Sequence, residues 1–393
     1  MAGKFIRYLL PGIPFSQFYE IIRKVLQARN KTMPQLLSTV ASIVVNIGLG
    51  YYMVHWTGWG WMGAAIAKSV GHFVLVPTAF VGMLMGQGGS ESGKDCSDDL
   101  TTNYDELDTQ LDDTQQFLEI EDDDIKNDEE DENEEDDLAF YGHFWEGFII
   151  SDALSCVAIT EFLSLGFAGM CQVMFEWIAF EAIALMCGLL PGKEAIIAIG
   201  ANTIIMYVSN LAYSFYLGVS VSGNVRVGNA LGAGDPHRAE IASNLALGAG
   251  AFMAMINMVV LVATRKTLPL LFTTDLDIVN KAQHLFLIAA AIQLPDALNA
   301  AIQGLLLGSG RQALGAKWNF CAYYIIGIPL GYFLGVKLGF GVEGLWFGLC
   351  TGLSIISIGC TIIVLRSDWK KLANDASLRL RKLSSFNSLT ALQ

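Results

Sequence analysis

Long stretches of the chain carry no Asp, Glu, Lys or Arg. Six such stretches cover residues 32–67, 69–90, 195–225, 241–264, 318–336 and 344–365. A helix that crosses the hydrocarbon core of a membrane, about 30 Å thick, needs about 20 apolar residues. Two further stretches, 162–192 and 282–310, are long and apolar enough apart from a few interior carboxylates. The pattern therefore predicts eight spanning helices and, with the weaker segment 5–25, a ninth.

The composition agrees with a membrane protein, because 53% of the residues are hydrophobic and only 16% are charged. The net charge of −14 comes from one segment: 22 of the 38 carboxylates lie between Asp95 and Asp137. The rest of the chain carries 23 basic and 16 acidic residues, a net charge of +7. The acidic runs Asp122–Asp124 and Asp128–Asp137 are nearly free of apolar residues, so we expect residues 91–143 to form a disordered loop. We interpret it as a solvated linker, and weak cation capture or contact with basic cytosolic loops is the alternative.

Basic residues collect beside one set of predicted helix ends. Arg23, Arg226, Arg311 and the basic tail 367–393 fall on the same side of the predicted membrane. Cytosolic flanks of membrane proteins carry the excess of Lys and Arg. We therefore expect this side, together with the acidic loop, to face the cytosol.

Motifs for other classes of function are incomplete in the sequence. Residues 88–95 match the first seven positions of a nucleotide-binding loop, but Asp95 replaces the Ser or Thr that binds Mg²⁺. The predicted spans hold no nucleophile-base pair and no His-rich cluster, and the seven cysteines are scattered. We therefore predict no enzyme, no cofactor and no metal site. An acidic total without a basic, aromatic-interleaved patch also argues against a nucleic-acid partner.

Three carboxylates lie inside the eight spans that are predicted apart from the weaker segment 5–25. Glu176 and Glu181 are five residues apart, about 140° around a helix, so either the helix borders a wide cavity or one carboxyl is buried against a neighbour. Asp296 follows Pro295, which permits a kink, and broken or kinked helices tend to mark binding sites in transporters. Ionisable groups are costly to place in a bilayer. We predict that these three carboxylates carry protons or bind substrate.

Polar and aromatic residues in the same spans are candidates to line a cavity with these carboxylates. Asn299 and Gln303 form a polar stripe with Asp296, and hydrogen bonds that only join helices are the alternative role. Aromatic faces attract cations. The predicted cavity-lining set is Trp177, Tyr213, Asn299, Gln303 and Tyr324, and Phe180 and Asn210 are further candidates.

Lys68 lies inside a predicted span, four residues before His72. A lysine stem can carry its ammonium group to the membrane interface. We expect Lys68 to reach the interface in this way, and a place in a functional site is the alternative.

Several motifs resemble those of the multidrug and toxic compound extrusion (MATE) family. The most specific is Val225–Gly234, which resembles that family's loop after its eighth helix and contains Arg226, Gly228, Asn229, Gly232 and Gly234. Further matching motifs are Pro11–Gly12, residues 20–30, Gly304 with Gly308–Gln312, Asn319, Tyr323–Tyr324, Gly327–Pro329 and Gly344–Trp346. Together they cover nearly the whole chain outside the acidic loop.

The resemblance implies an all-α polytopic membrane protein with two six-helix bundles around a central cavity. Residues 1–90 resemble only the fourth to sixth helices of the first bundle, whereas 144–366, with an interfacial lead-in, resemble the complete second bundle. We therefore expect about nine spanning helices and a truncated form of a longer transporter. A shortened protein that associates with itself or with a partner is the alternative.

The resemblance also implies a function. Eukaryotic members place coupling carboxylates at positions that match Glu176, Glu181 and Asp296. We therefore expect a secondary active antiporter in the lipid bilayer that exports organic cations, drugs or xenobiotics in exchange for H⁺ or Na⁺. The plasma membrane is the expected location, with the vacuolar or lysosomal membrane as the alternative. The alternative function is a non-transporting form that associates with a full-length transporter.

Overall fold

The chain folds into helices that divide between two compact units. The computed structural model describes residues 2–28, 31–85 and 156–390. Unit 1 is Met1–Phe148 and unit 2 is Ile149–Gln393. Within the described ranges, eight helices are long and apolar enough to cross a membrane, which confirms eight of the predicted spans. The predicted acidic loop 91–143 lies outside the described residues.

In unit 1, the two candidate spans pack side by side and follow a broken helical segment. The helices are α1 (Ala2–Leu9), α2 (Ile13–Ala28), α3 (Met33–His55) and α4 (Trp61–Met85). The predicted ninth span, 5–25, is divided between α1 and α2 by a 3-10 turn at Leu10–Gly12. Pro11 lies in this turn, and proline both removes a backbone donor and clashes with the preceding turn of a helix. The longer piece, α2, has 16 residues and is therefore only about 24 Å long.

Unit 2 contains the other six candidate spans and a final amphipathic helix. The spans are α5 (Cys156–Cys187), α6 (Lys193–Gly232), α7 (Pro236–Thr264), α8 (Leu276–Gly308), α9 (Gln312–Lys337) and α10 (Gly341–Leu365). The last helix is α11 (Trp369–Thr390). Helix α8 is the most deeply buried of the candidate spans and contacts α6, α7 and α10. The core of unit 2 is therefore built around α8.

Glycines allow α8 to lie directly against α6. A Cβ atom on Gly304 would overlap the backbone oxygen of Ser220, and a Cβ atom on Gly308 would meet the backbone of Asn224. Gly228, one turn further along α6, faces the backbone of Gly308. Any larger side chain at Gly304 or Gly308 would separate the two helices.

Helix α6 continues beyond the charge-free stretch that predicted it. It has 40 residues, so it is about 60 Å long, roughly twice the thickness of the hydrocarbon core. The predicted signature loop at Val225–Gly234 is consequently mostly helical, which corrects the expectation: Arg226, Gly228, Asn229 and Gly232 lie in α6. Only Gly234, with a φ of 76°, lies in the turn that follows. A charge ends a lipid-facing stretch, but it does not end a helix that continues into water.

The predicted basic tail 367–393 begins as a helix, α11, which contacts α6 and α7. Asp368 caps its first turn by accepting a hydrogen bond from the backbone N–H of Lys371 at 3.0 Å. Trp369 and Ala373 are buried against the core of unit 2. This segment is therefore a docked part of unit 2 through its first turns.

Candidate functional site

The carboxylate of Glu176 lies at the meeting point of α5, α8 and α9. Its side chain is only 3% exposed. Asn299 donates a hydrogen bond to Oε1 at 2.8 Å, and Gln303 donates one to Oε2 at 2.6 Å. The hydroxyl of Tyr323 donates to Oε1 at 3.4 Å. Both oxygens of this buried carboxylate therefore have donors, as a buried charge requires.

A π-helical segment of α9 brings Tyr323 to this position. It covers Cys321–Gly327, shortly before Pro329, which cannot donate a backbone hydrogen bond. Tyr323 reaches Glu176, whereas the next residue, Tyr324, donates to the backbone oxygen of Phe175 at 3.2 Å. Two consecutive tyrosines thus join α9 to the same turn of α5.

Glu176 also borders a cavity within unit 2 that is formed by α5, α6 and α8. Its empty space, including the part that is open to the surroundings, is about 550 Å³. The described residues that line it include no Lys or Arg. They are Glu176, Trp177, Phe180, Glu181, Met206, Ser209, Asn210, Tyr213 and Asp296.

The three predicted carboxylates thus share one cavity but differ in their surroundings. Glu176 is buried and fully hydrogen-bonded, Asp296 is 6% exposed, and Glu181 is exposed. Glu181 lies about 140° around α5 from Glu176, and both still border the cavity because it is wide. The structure therefore combines the two arrangements that the spacing allowed, a wide cavity and one buried carboxyl.

Asp296 borders the cavity from a turn of α8 that contains a proline. The hydroxyl of Ser357 on α10 donates a hydrogen bond to the backbone oxygen of Pro295. Proline at this position leaves a carbonyl one turn earlier without its helical donor. Tyr216 lies nearby, where its hydroxyl donates to Gln293 at 2.7 Å and accepts from Asn257 at 2.9 Å. Polar contacts from α10 and α6 therefore hold the proline region of α8, and Asn257 of α7 holds the hydroxyl of Tyr216.

The predicted cavity-lining residues divide into two groups. Trp177 and Tyr213 line the cavity, and Trp177 is 53% exposed. Asn299 and Gln303 lie behind Glu176 and donate to it. Tyr324 stacks on Phe320 with ring centroids 5.5 Å apart and, like the two amides, is not among the described lining residues.

The analysis of spacing missed two lining residues, Met206 and Ser209, and the contact between Tyr323 and Glu176. Met206, Ser209 and Tyr213 lie three and four residues apart, a spacing that places them on one face of α6. A prediction that followed the helical face of Tyr213 back toward the start of α6 would have included Met206 and Ser209.

The remaining predicted residues are not among the described residues that line this cavity. The signature residues Arg226, Gly228, Asn229 and Gly232 lie in the last turns of α6. Lys68 is exposed on α4 in unit 1, and the Nδ1 atom of His72 is buried without a hydrogen-bond partner among the described residues.

Known proteins share both the sequence pattern and the fold. The model of the MatE family matches residues 1–52 and 170–333, which together make up more than half of the chain. The chain belongs to the MatE family. The predicted fold class, an all-α polytopic membrane protein with MATE-like bundles, is confirmed.

Relatives of this MatE-family chain occur in animals and plants. Multidrug and toxin extrusion protein 1 is 27% identical in Homo sapiens and 24% identical in Danio rerio, over 96% of this chain in each case. Protein DETOXIFICATION 17 of Arabidopsis thaliana is 26% identical over 97% of this chain. The match covers 56%, 54% and 68% of these three relatives, so the chain spans about half the length of the animal proteins.

Solved structures of MATE transporters have the same fold. A crystal structure of a eukaryotic MATE transporter matches with a TM-score of 0.74 at 24% identity, over 96% of this chain and 72% of that chain. A MATE transporter in complex with Rb⁺ matches with a TM-score of 0.62 at 16% identity, over 89% of this chain and 65% of that chain.

Proposed function

We propose that this chain is a secondary active antiporter that exports organic cations, including drugs and xenobiotics, in exchange for protons or sodium. The observation that carries the proposal is the cavity of unit 2, where Glu176, Glu181 and Asp296 share one space with aromatic side chains. Because its described lining has no Lys or Arg, the cavity favours cations. The names of the animal relatives, multidrug and toxin extrusion, support export as the direction of transport.

The solute and the proton compete for the same carboxylates. A cation in the cavity is attracted by the carboxylates, and the exposed faces of Trp177 and Tyr213 offer cation–π contact. Protonation neutralises the carboxylates and lowers the affinity for the cation. Exchange then follows if the two ligands favour different conformations of the protein.

The protonation state of Glu176 affects the contact between α5 and α8. As a carboxylate it accepts hydrogen bonds from Asn299 and Gln303, one on each oxygen. A protonated carboxyl carries an O–H donor on one oxygen and has less capacity to accept there. At least one of the two amides must then rearrange, so we propose that protonation loosens α5 from α8.

The alternative coupling ion and the membrane complete the proposed function. A MATE transporter of the same fold is known in complex with Rb⁺, which supports a monovalent metal cation as the alternative coupling ion. The plasma membrane is our proposed location, with the vacuolar or lysosomal membrane as the alternative, because an acidic lumen would supply a proton gradient.

The test is uptake of a fluorescent organic cation into proteoliposomes that contain the full chain, first under a pH gradient and then under a sodium gradient. We expect driven accumulation that is abolished in Glu176→Gln and Asp296→Asn. Glu240→Gln is the matched control, because Glu240 is an exposed carboxylate on α7 outside the cavity. It should transport like the unchanged protein.

Two results would contradict the proposal. Undiminished accumulation in both Glu176→Gln and Asp296→Asn would show that these carboxylates do not couple transport. No accumulation under either gradient, from protein shown to be inserted, would favour the non-transporting form. Co-purification with a longer transporter would then identify its partner.

A further inference from the structure

Arg311 occupies the turn between α8 and α9, where its guanidinium is held by hydroxyl groups. The Nε atom donates to Ser309 at 3.1 Å, and the Nη1 atom donates to Ser367 at 2.9 Å. The Nη2 atom is buried and has no hydrogen-bond partner in the described part of the chain. Burial lowers the pKa of the Arg311 guanidinium, because it disfavours the charged form. The site therefore holds a partly desolvated positive charge with one unused donor.

A second guanidinium lies against the same turn. Gly310 has a φ of 68°, and a Cβ atom there would overlap Nη1 of Arg379, which belongs to α11. The ion pairs found among the described residues involve neither arginine. Two guanidinium groups beside one turn offer the positive charge and the N–H donors that a phosphate group binds.

We propose that Arg311 and Arg379 together bind a phosphate group, presented by an anionic membrane lipid or by free phosphate. The guanidinium fork matches phosphate oxygens in a bidentate geometry, and Ser309 and Ser367 already fix the orientation of Arg311. The turn follows Gly308, which lies against Gly228 of α6, just beyond the point where Arg226 ends the charge-free stretch. We therefore expect the turn to lie at the depth of lipid headgroups. In the orientation that the basic residues predict, the turn faces the cytosol, and the cytosolic leaflet of a membrane is anionic.

This site differs in place and chemistry from the carboxylate cavity of unit 2. Binding there would connect the α8–α9 turn to α11, which itself contacts α6 and α7. A bound phosphate group would thereby hold the end of α8, the helix that carries Asp296, Asn299 and Gln303. Binding of a phosphate group at this turn does not depend on the proposed transport.

The test measures binding to the purified full chain in detergent, from the shift in its thermal unfolding midpoint. Three probes are titrated: dioctanoyl phosphatidic acid, dioctanoyl phosphatidylcholine and inorganic phosphate. We expect phosphatidic acid to raise the midpoint and phosphatidylcholine to have no comparable effect. Arg379→Gln should weaken the binding on the order of tenfold, because it removes charge-assisted hydrogen bonds.

Lys370→Gln is the matched control, because Lys370 is an exposed cation on the same helix. It should bind phosphatidic acid like the unchanged protein. Arg311→Gln is a second variant, and Arg379→Gln keeps the test valid if Arg311→Gln fails to fold, since Arg379 is exposed. Equal affinities in Arg379→Gln, Lys370→Gln and the unchanged protein would overturn the proposal.

Comparison of phosphatidic acid with inorganic phosphate identifies the source of the phosphate group. Binding of phosphatidic acid but not inorganic phosphate, lost in Arg379→Gln, supports a lipid. Equally tight, Arg379-dependent binding of inorganic phosphate supports free phosphate. If neither phosphatidic acid nor inorganic phosphate binds, the proposal is overturned. No transport is measured, so these results do not depend on the proposed antiport.

Discussion

Substituting Gly304 with Ala tests the close approach of α8 to α6. The added Cβ atom would overlap the backbone oxygen of Ser220, and a backbone atom cannot move aside as the end of a side chain can. Overpacking of this kind typically costs about 1–3 kcal/mol. Replacing Gly with Ala inside a helix also stabilises the helix by roughly 1 kcal/mol. The net effect on the free energy of unfolding is therefore a loss of up to about 2 kcal/mol.

Gly218→Ala supplies the matched control. Gly218 lies on α6, and a Cβ atom there would have no neighbour within 4 Å among the described residues. Both variants gain the same helix propensity, so the difference between their free energies of unfolding isolates the packing cost. We expect Gly304→Ala to be less stable than Gly218→Ala by about 1–3 kcal/mol.

The assay is equilibrium unfolding of the two purified variants in mixed detergent micelles, followed by tryptophan fluorescence. Because Gly304 follows Gln303, we also expect Gly304→Ala to weaken transport by moving the amide that donates to Glu176. Equal stability of the two variants would show that α6 and α8 do not touch at this point. The register of α8 derived from that contact would then be wrong.

Three further predictions concern individual contacts of unit 2. Tyr216→Phe removes the hydroxyl that joins Gln293 to Asn257, so it should lower the free energy of unfolding by about 1–3 kcal/mol in the same micelle assay. Trp177→Ala should raise the KM for an organic cation about 2- to 30-fold in proteoliposomes, with little change in protein stability, because it removes a cation–π face of about 0.5–2 kcal/mol. Asp235→Ala should lower the free energy of unfolding by about 0.5–2 kcal/mol, because Asp235 caps α7.

Each of these variants has a matched control. Tyr207→Phe changes an exposed tyrosine on α6 and should leave stability unchanged. Trp56→Ala removes an exposed tryptophan of unit 1 and should leave the KM unchanged. Asp235→Asn keeps a capping oxygen and should retain most of the stability. A control that changes as much as its partner variant contradicts that prediction.

Hydropathy predicted most of the fold, because a spanning helix is defined by local composition. Eight predicted spans are helices in the described ranges. The predictions failed where the apolar stretch that lipid requires and the helix itself have different ends. Helix α6 continues past Arg226 because charge limits only the part in hydrocarbon. The segment 5–25 is apolar enough in part, but Pro11 divides it.

The apolar residues of α11 also recur at helical spacing, and this pattern predicts a packed helix. Trp369, Leu372, Ala373 and Ala376 recur at the spacing of one helical face, and all four belong to the core cluster or pack against it. The basic residues between them led to the prediction of a basic cytosolic tail. In such a segment the period of the few apolar residues is more informative than the charge.

The composition of the candidate site was predictable, but its internal contacts were not. The cost of a carboxylate in a bilayer singled out Glu176, Glu181 and Asp296 from the sequence alone. The donors to Glu176 lie 123 and 127 residues away along the chain. Helical periodicity shows which residues share a face, but not which helix that face meets. The sequence therefore predicted the polar stripe of α8, but it did not predict that the stripe contacts Glu176.

The glycine motifs supply part of what periodicity lacks. Gly304 and Gly308 fix where α8 touches α6, and Gly304 directly follows Gln303, which donates to Glu176. Because a helix is nearly rigid over two turns, a fixed contact at Gly304 also fixes the position of Asp296, eight residues earlier. These small residues, which do not line the cavity, thus position Asp296 and the amide of Gln303 that donates to Glu176.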